Sequence, residues 1–276
     1  MRRIHTIILF LIVTVSAVAK DITLEADQRR DYLSNLYNYD KNDSLIMQAP
    51  EHLAFFKEHA LWSYYYDTWL LLTNTYVFSG KVNTALQEVK RMHQDATERD
   101  DTYGLALADY AMGIAYLNMG YMDEAIDCYR QSLKLIKAMK ESPSCTSDVF
   151  SYYCDALEAK RNYEEMKTVT AQWKQYLVDE EKNSKRADKS SYKVWYAYYY
   201  LACAQMNLGL GQLEEAAHDI EEADKRSDGS GDFIPMAILH IRAQLYLQRK
   251  EYQRAFEYNT QYYQRVKGYG DISSIL

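Results

Sequence analysis

The sequence predicts an all-α fold, a row of antiparallel helix pairs stacked side by side. Three observations carry this. The chain holds only 10 Gly and 3 Pro among 276 residues, too few for a turn-rich β fold. Residues 106–139 read as two amphipathic helices joined by a tight turn. The same plan recurs along the chain, and a hairpin that cannot bury its own apolar face must stack on copies of itself.

The hairpin at 106–139 sets the pattern. Gly113 and Ala115 supply small residues where its first helix meets a partner, with Tyr116 beside them. Gly120 ends that helix, because it tolerates the left-handed backbone of a C-terminus. Asp123 and Glu124 fall in the first turn of the second helix, where the helix dipole favours negative charge. Ala125, Tyr129, Ser132, Leu133 and Ile136 then recur at helical spacing as one buried stripe.

Taken in order, the chain opens on a leader. Arg2 and Arg3 precede an apolar run from Ile7 to Val15, and Ala17-Val18-Ala19 has the small-x-small form of a cleavage site. Residues 1–19 are therefore expected to be a secretory signal peptide. The run is short of the roughly 20 residues that span a bilayer, which disfavours an uncleaved anchor. No Cys near its end points to a lipoprotein. The mature chain has no second stretch apolar enough for membrane insertion.

Residues 20–60 form a leading helical segment or degenerate cap. A helix is expected over Glu25–Tyr37, then a turn at DKNDS with Asp43 or Ser44 as cap, and a restart at Pro50 into Glu51–His59. Residues 61–276 hold the repeats, with hairpins near 66–99, 106–139, 147–183, 192–225 and 236–268. The first two start 40 residues apart, so the helices should be long. ESPSCTSD at Glu141–Asp148 is a loop, with Ser147 or Asp148 as cap. The third hairpin is the least regular, turning at Arg161-Asn162. EEKNSKRADKSS at Glu180–Ser191 reads as a solvated helix end with a loop, and RSDGSGD at Arg226–Asp232 as a connector. In the fourth hairpin LACAQMNLG aligns with MGIAYLNMG of the second, with Leu210 and Gly211 inserted at the turn. The chain stops at DISSIL without a polar capping helix, which solenoids normally need. A continuation, or a partner over the last face, is expected on that ground.

Gly113, Tyr116, Gly120, Ala125 and Tyr129 fill five signature positions of the tetratricopeptide repeat, and the second hairpin resembles that family. Trp69, Leu72, Tyr76, Gly80 and Ala85 do the same in the first. Asp109 and Lys137 stand where the family has Trp and Pro. The resemblance implies a right-handed superhelical solenoid with a concave face lined by the first helix of each pair. The signal peptide, long repeats and Tyr-rich helices together resemble the periplasmic sensor regions of bacterial membrane histidine kinases. That likeness implies a kinase module, either downstream or on a split partner.

The chemistry is sparse. Net charge is −7 and the pI is about 5.5, without a basic stripe, which argues against nucleic acid. The six histidines include no HExxH, and His52 and His59 read as a surface pair rather than a metal site. No cysteine pair has zinc spacing. Cys154 and Cys203 are expected as buried thiols and Cys145 as an exposed one, with a Cys145–Cys154 or Cys128–Cys154 bridge at low odds. GLGQ at Gly209–Gln212 is a repeat turn and not a phosphate loop. No catalytic, cofactor or metal residues are assigned.

The alignment places Leu70, Asn74, Phe78, Tyr110, Ile114, Asp155, Tyr196, Tyr199 and His240 on the concave face, a groove with aromatic and apolar walls and an acidic middle. Leu70, Leu107 and Ala111 occupy the places where the family's carboxylate-gripping groove has basic partners, so binding of a C-terminal tail by that mode is disfavoured. The expected role is non-catalytic binding of a protein or peptide in an exported, extracytoplasmic sensing portion of a signalling system. A free-standing periplasmic assembly scaffold competes with it. A small-ligand module or an unrecognised enzyme is a more distant alternative.

Overall fold

The computed structural model describes residues 21–183, 190–228, 231 and 233–268. Those residues form helices joined by short turns, without a strand among them. The helices are α1 (residues 21–38), α2 (Asn42–Glu58), α3 (Trp62–Phe78), α4 (Val82–Glu98), α5 (Thr102–Met119) and α6 (Met122–Ala138). They continue as α7 (Thr146–Ala159), α8 (Tyr163–Asn183), α9 (Ser190–Gly209), α10 (Leu213–Asp224), α11 (Phe233–Gln248) and α12 (Tyr252–Gly268). The leader at 1–19, the charged linker at 184–189, most of the connector near 229–232 and the closing DISSIL lie outside the described residues.

The all-α repeat expected from the sequence is what the chain forms. Helices α2, α4 and α6 start at Asn42, Val82 and Met122, a period of 40 residues, and each is 17 residues long. The turns explain this regularity. Gly80, Gly120 and Gly211 carry positive φ, and so do Asp40, Ala60, Asp100, Arg161 and Lys250. After each of these last five, and after Gly80 and Gly211, the next amide reaches back to a carbonyl five residues earlier, as Lys81 does to Tyr76 at 2.8 Å. Such a left-handed residue closes a helix and turns the chain back, so successive helices run antiparallel.

The leading segment is helical as expected, but its second helix and caps differ. It is a further helix pair, α1 with α2, and α2 runs unbroken through Pro50. Neither Asp43 nor Ser44 caps it; Lys41 holds the N-cap place without a side-chain bond. Likewise α7 starts earlier than read, at Thr146. Its cap residue is Cys145, and the Thr146 hydroxyl donates to the Pro143 carbonyl at 2.7 Å.

The chain divides into two compact units between Met119 and Gly120. In the first, α3 packs on α2, α4 and α5. Tyr66 is fully buried between them, and its hydroxyl donates to Asp95 at 2.9 Å. Gly104 lets α5 approach its ring; a Cβ there would lie 2.5 Å from the ring carbon Cζ. A ladder of tyrosines ties successive first helices, with Tyr64 donating to Asp27 at 2.8 Å and Tyr103 to Asp67 at 2.6 Å.

In the second unit, first helices again meet both their own partner and the next first helix: α9 touches α7, α8, α10 and α11. Leu201 and Leu208 of α9, Ile220 of α10 and Ile238 and Ile241 of α11 form one apolar core. Trp173 of α8 is fully buried, stacked on Phe150 at 6.0 Å and edge-on to Tyr199 at 5.9 Å. Glu165 accepts from Tyr153 at 2.5 Å and from Arg130 at 2.8 Å, joining α6, α7 and α8. Desolvation pushes its carboxyl up, but the bonds from Tyr153 and Arg130 outweigh that and hold it below its usual range. Of the expected stripe on α6, Ala125, Tyr129, Ser132 and Ile136 are buried and Leu133 is half-buried.

Candidate groove of the second unit

Three successive first helices, α7, α9 and α11, turn one face each toward a cavity of about 350 Å³. Helix α7 contributes Asp148, Ser151, Tyr152 and Asp155, spaced so that all four share one side. Helix α9 contributes Trp195, Tyr198, Ala202 and Gln205, again one helical face. Helix α11 adds Phe233, Ala237 and Ile241, and Trp173 with Ser147 forms the floor. The floor is fixed, since the Trp173 indole N–H donates to the Ser147 hydroxyl at 3.4 Å. Tyr198 and Phe233 meet at 6.0 Å and bridge the walls.

The groove is electrostatically one-sided. Asp148 and Asp155 are exposed along it, yet the packed helices around them desolvate both. That desolvation pushes Asp148 up to about 6 and Asp155 up to about 7, with repulsion from Glu158 adding to the latter. Tyr198 is raised too, by desolvation first and then by the charges of Asp148 and Asp155. Neither carboxylate has a hydrogen bond or ion pair among the described residues. The arrangement offers aromatic faces and two unneutralised acids, and no nucleophile with its base.

The residues assigned from the sequence are distributed differently. Asp155 lies in this groove. Tyr199 does not: it is 8% exposed and holds Trp173 from behind. Tyr196 faces another side of α9, its hydroxyl 3.4 Å from Glu181. His240 is exposed beside Tyr262 and borders a separate cavity between α11 and α12. In the first unit Leu70, Asn74, Tyr110 and Ile114 are buried by helix packing, while Phe78 is half-exposed at the end of α3. Asn74 keeps a buried carbonyl oxygen without a partner among the described residues.

The groove residues that sequence reading missed are chiefly Tyr152, Trp195, Tyr198 and Phe233. The offset in α9 is one residue, with Trp195 and Tyr198 in place of Tyr196 and Tyr199. YKVWYAYYYL carries aromatic rings on every side of the helix, so apolar spacing cannot set its rotation. Phe233 follows the connector, where repeat alignment has no anchor.

His52, His59 and the thiols go to packing. His52 is buried and stacks on Tyr32, and His59 lies against Phe55, so the two do not converge. Among the described residues no three His, Cys, Asp or Glu side chains are placed to hold a metal. No disulfide joins described residues. Cys154 and Cys203 are buried, and Cys128 and Cys145 are half-buried, so Cys145 is less open than expected. Burial pushes the Cys154 thiol well up and Cys203 up to about 12. No described helix is long and apolar enough to cross a membrane.

No family model and no curated protein matches the chain. Solved structures do match. One holds the nearly identical TPR-like repeats assigned to a kinesin light chain of Podosopora anserina, at TM-score 0.49 and 11% identity, over 74% of this chain and 95% of that one. The TPR-like character stands on the helix pairs within each unit: α3 packs on α4 and α5, α7 on α8 and α9, and α9 on α10 and α11.

Proposed function

We propose that the chain is a non-catalytic scaffold that binds a protein or peptide, exported from the cytoplasm as the sensing portion of a signalling system. The observation that carries the binding role is the groove: inner faces of α7, α9 and α11 leave aromatic side chains open where repeat stacking would otherwise bury them. Concave faces of stacked helix pairs are the usual binding surfaces of such arrays. The export half of the reading is supported by Arg2, Arg3, the run from Ile7 to Val15 and the Ala17-Val18-Ala19 end. The signalling half is supported by the resemblance to kinase sensor regions, with the kinase module downstream or on a partner.

Two experiments test it. Affinity capture from periplasmic extract compares the wild-type chain with Trp195→Ala plus Tyr198→Ala. The scaffold reading expects the variant to lose a specific partner while keeping its helical circular-dichroism spectrum; undiminished capture contradicts it. Fractionation of cells expressing the full chain, with N-terminal sequencing, tests export. A periplasmic form starting at Lys20 is expected, and a full-length form confined to the cytoplasm overturns the localisation.

A further inference from the structure

The geometry points to a cationic side chain as the groove's occupant: an arginine or lysine carried on an extended segment of a partner protein. The inference rests on the groove reading above and adds the chemistry of what enters it.

Three features of the site converge. The first is charge. Asp148 and Asp155 stand on one face of α7, both open to the cavity, and no Lys or Arg of the described residues neutralises them. Several other acids of this unit are matched: Asp224 by Arg242 at 2.8 Å, Glu214 by Arg249 at 2.7 Å, Glu165 by Arg130 at 2.8 Å. Asp148 and Asp155 lack such a cation, and they line the cavity that α7, α9 and α11 enclose. The second is the walls. Tyr152, Trp195, Tyr198 and Phe233 present aromatic rings, whose faces attract a guanidinium or ammonium group within about 6 Å. The chain uses that contact for its own packing, with Arg226 4.8 Å from the Tyr200 ring centroid. The third is size. About 350 Å³ lies at the small end of ligand cavities and suits one long side chain with its aliphatic stem, not a folded surface. A neutral apolar side chain would fill the space and leave both carboxylates unmatched. An acidic one would meet repulsion from both, in a chain of net charge −7.

The test uses the full chain and three acetylated, amidated pentapeptides, Ala-Leu-X-Leu-Ala. Their central residue is arginine, its uncharged isostere citrulline, or glutamate. Binding is read at fixed ionic strength by quenching of tryptophan fluorescence and by ligand-observed NMR. The arginine peptide is expected to bind roughly tenfold to a hundredfold more tightly than the citrulline peptide, the range of a charge-assisted contact. Asp148→Asn plus Asp155→Asn should erase that preference. A control variant, Glu215→Gln plus Glu221→Gln, changes net charge equally on the exposed face of α10 and should keep it.

Equal binding of the arginine and citrulline peptides overturns the inference. So does a preference that survives in the Asp148/Asp155 double variant, or one lost equally in the control. If the citrulline peptide binds well and Trp195→Ala plus Tyr198→Ala abolishes it, the groove is a peptide site and the cationic occupant alone is wrong. If none of the three peptides binds, the cationic occupant and the peptide-binding role of this groove fall together.

Discussion

Asp109 of α5 is held against its own chemistry. Only 17% of its side chain is exposed, and His93 lies 3.7 Å away. Desolvation pushes its carboxyl up to about 6, more than the nearby histidine pulls it down. With the folded pKa above the unfolded one, the neutral form's stability is complete below the unfolded value and lost as pH rises through about 6. Asp109→Asn should therefore stabilise the first unit at pH 7.5 by about 1–2 kcal/mol and change little near pH 4. Melting curves of the two proteins across that range check it, and parallel curves would contradict it. His52 of α2 acts with the opposite sign. Desolvation and then Arg29 lower its pKa, so its contribution is present above the usual histidine value and is lost as pH falls through the folded one.

In the groove the same linkage governs binding. Asp148 faces no other charge; Asp155 faces Glu158, and Tyr198 feels both aspartates. A cation needs the ionised carboxylates, so the arginine peptide should bind best above about pH 7 and weaken as pH falls through 7 and 6. The citrulline peptide should show no such slope. A titration with both peptides from pH 8 to pH 5 distinguishes them, since the linkage predicts a difference that closes as the acids protonate.

At the scale of elements, α2 carries its own defect. Pro50 sits inside it, exposed, where its missing N–H removes a helix bond and its ring crowds the preceding turn. Pro50→Ala should raise stability by about 1–3 kcal/mol, read as a shift in the urea midpoint with unchanged slope. The contact of α5 with α3 works the other way. Gly104→Ala gains helix propensity but drives a methyl into the Tyr66 ring, and the ring is held by Asp95. The net loss should be about 1–3 kcal/mol, while Tyr66→Phe alone costs about 1 kcal/mol. If Gly104→Ala stabilises, the close approach of the two helices is wrong.

These elements also show what the sequence can convey. Helix identity and the 40-residue period were legible, because apolar spacing and Gly80 and Gly120 mark both stripe and turn. The turns at Ala60, Asp100 and Lys250 were not, since L-residues with a Cβ seldom adopt positive φ and only neighbouring helices force it. Pro50 misled for the same reason: packing of α2 on α3 overrides a local breaker. The acidic part of the groove was legible through Asp155 on α7. The aromatic part was not, because α9 carries aromatic rings on all sides and a one-residue error in rotation exchanges Tyr198 for Tyr199.

For the molecule as a whole, contacts within each unit run mostly between helices adjacent in sequence or one pair apart. Such arrays draw their stability from nearest-neighbour interfaces, so damage should stay local. Trp173→Ala removes the largest fully buried side chain and the groove floor together. It should cost about 3–5 kcal/mol and abolish peptide binding, whereas Asp148→Asn plus Asp155→Asn should abolish the charge preference at no cost in stability.

The central claim is that helix stacking leaves one face of α7, α9 and α11 free to hold a partner's chain. It is tested most directly by assigning the backbone amides of the full chain and titrating in the arginine pentapeptide. The account predicts shifts confined to the groove lined by Ser151, Tyr152, Asp155, Trp195, Tyr198 and Ala237, saturating together. Shifts centred instead on α8, α10 and α12, or scattered over the acidic surface without saturation, would contradict it.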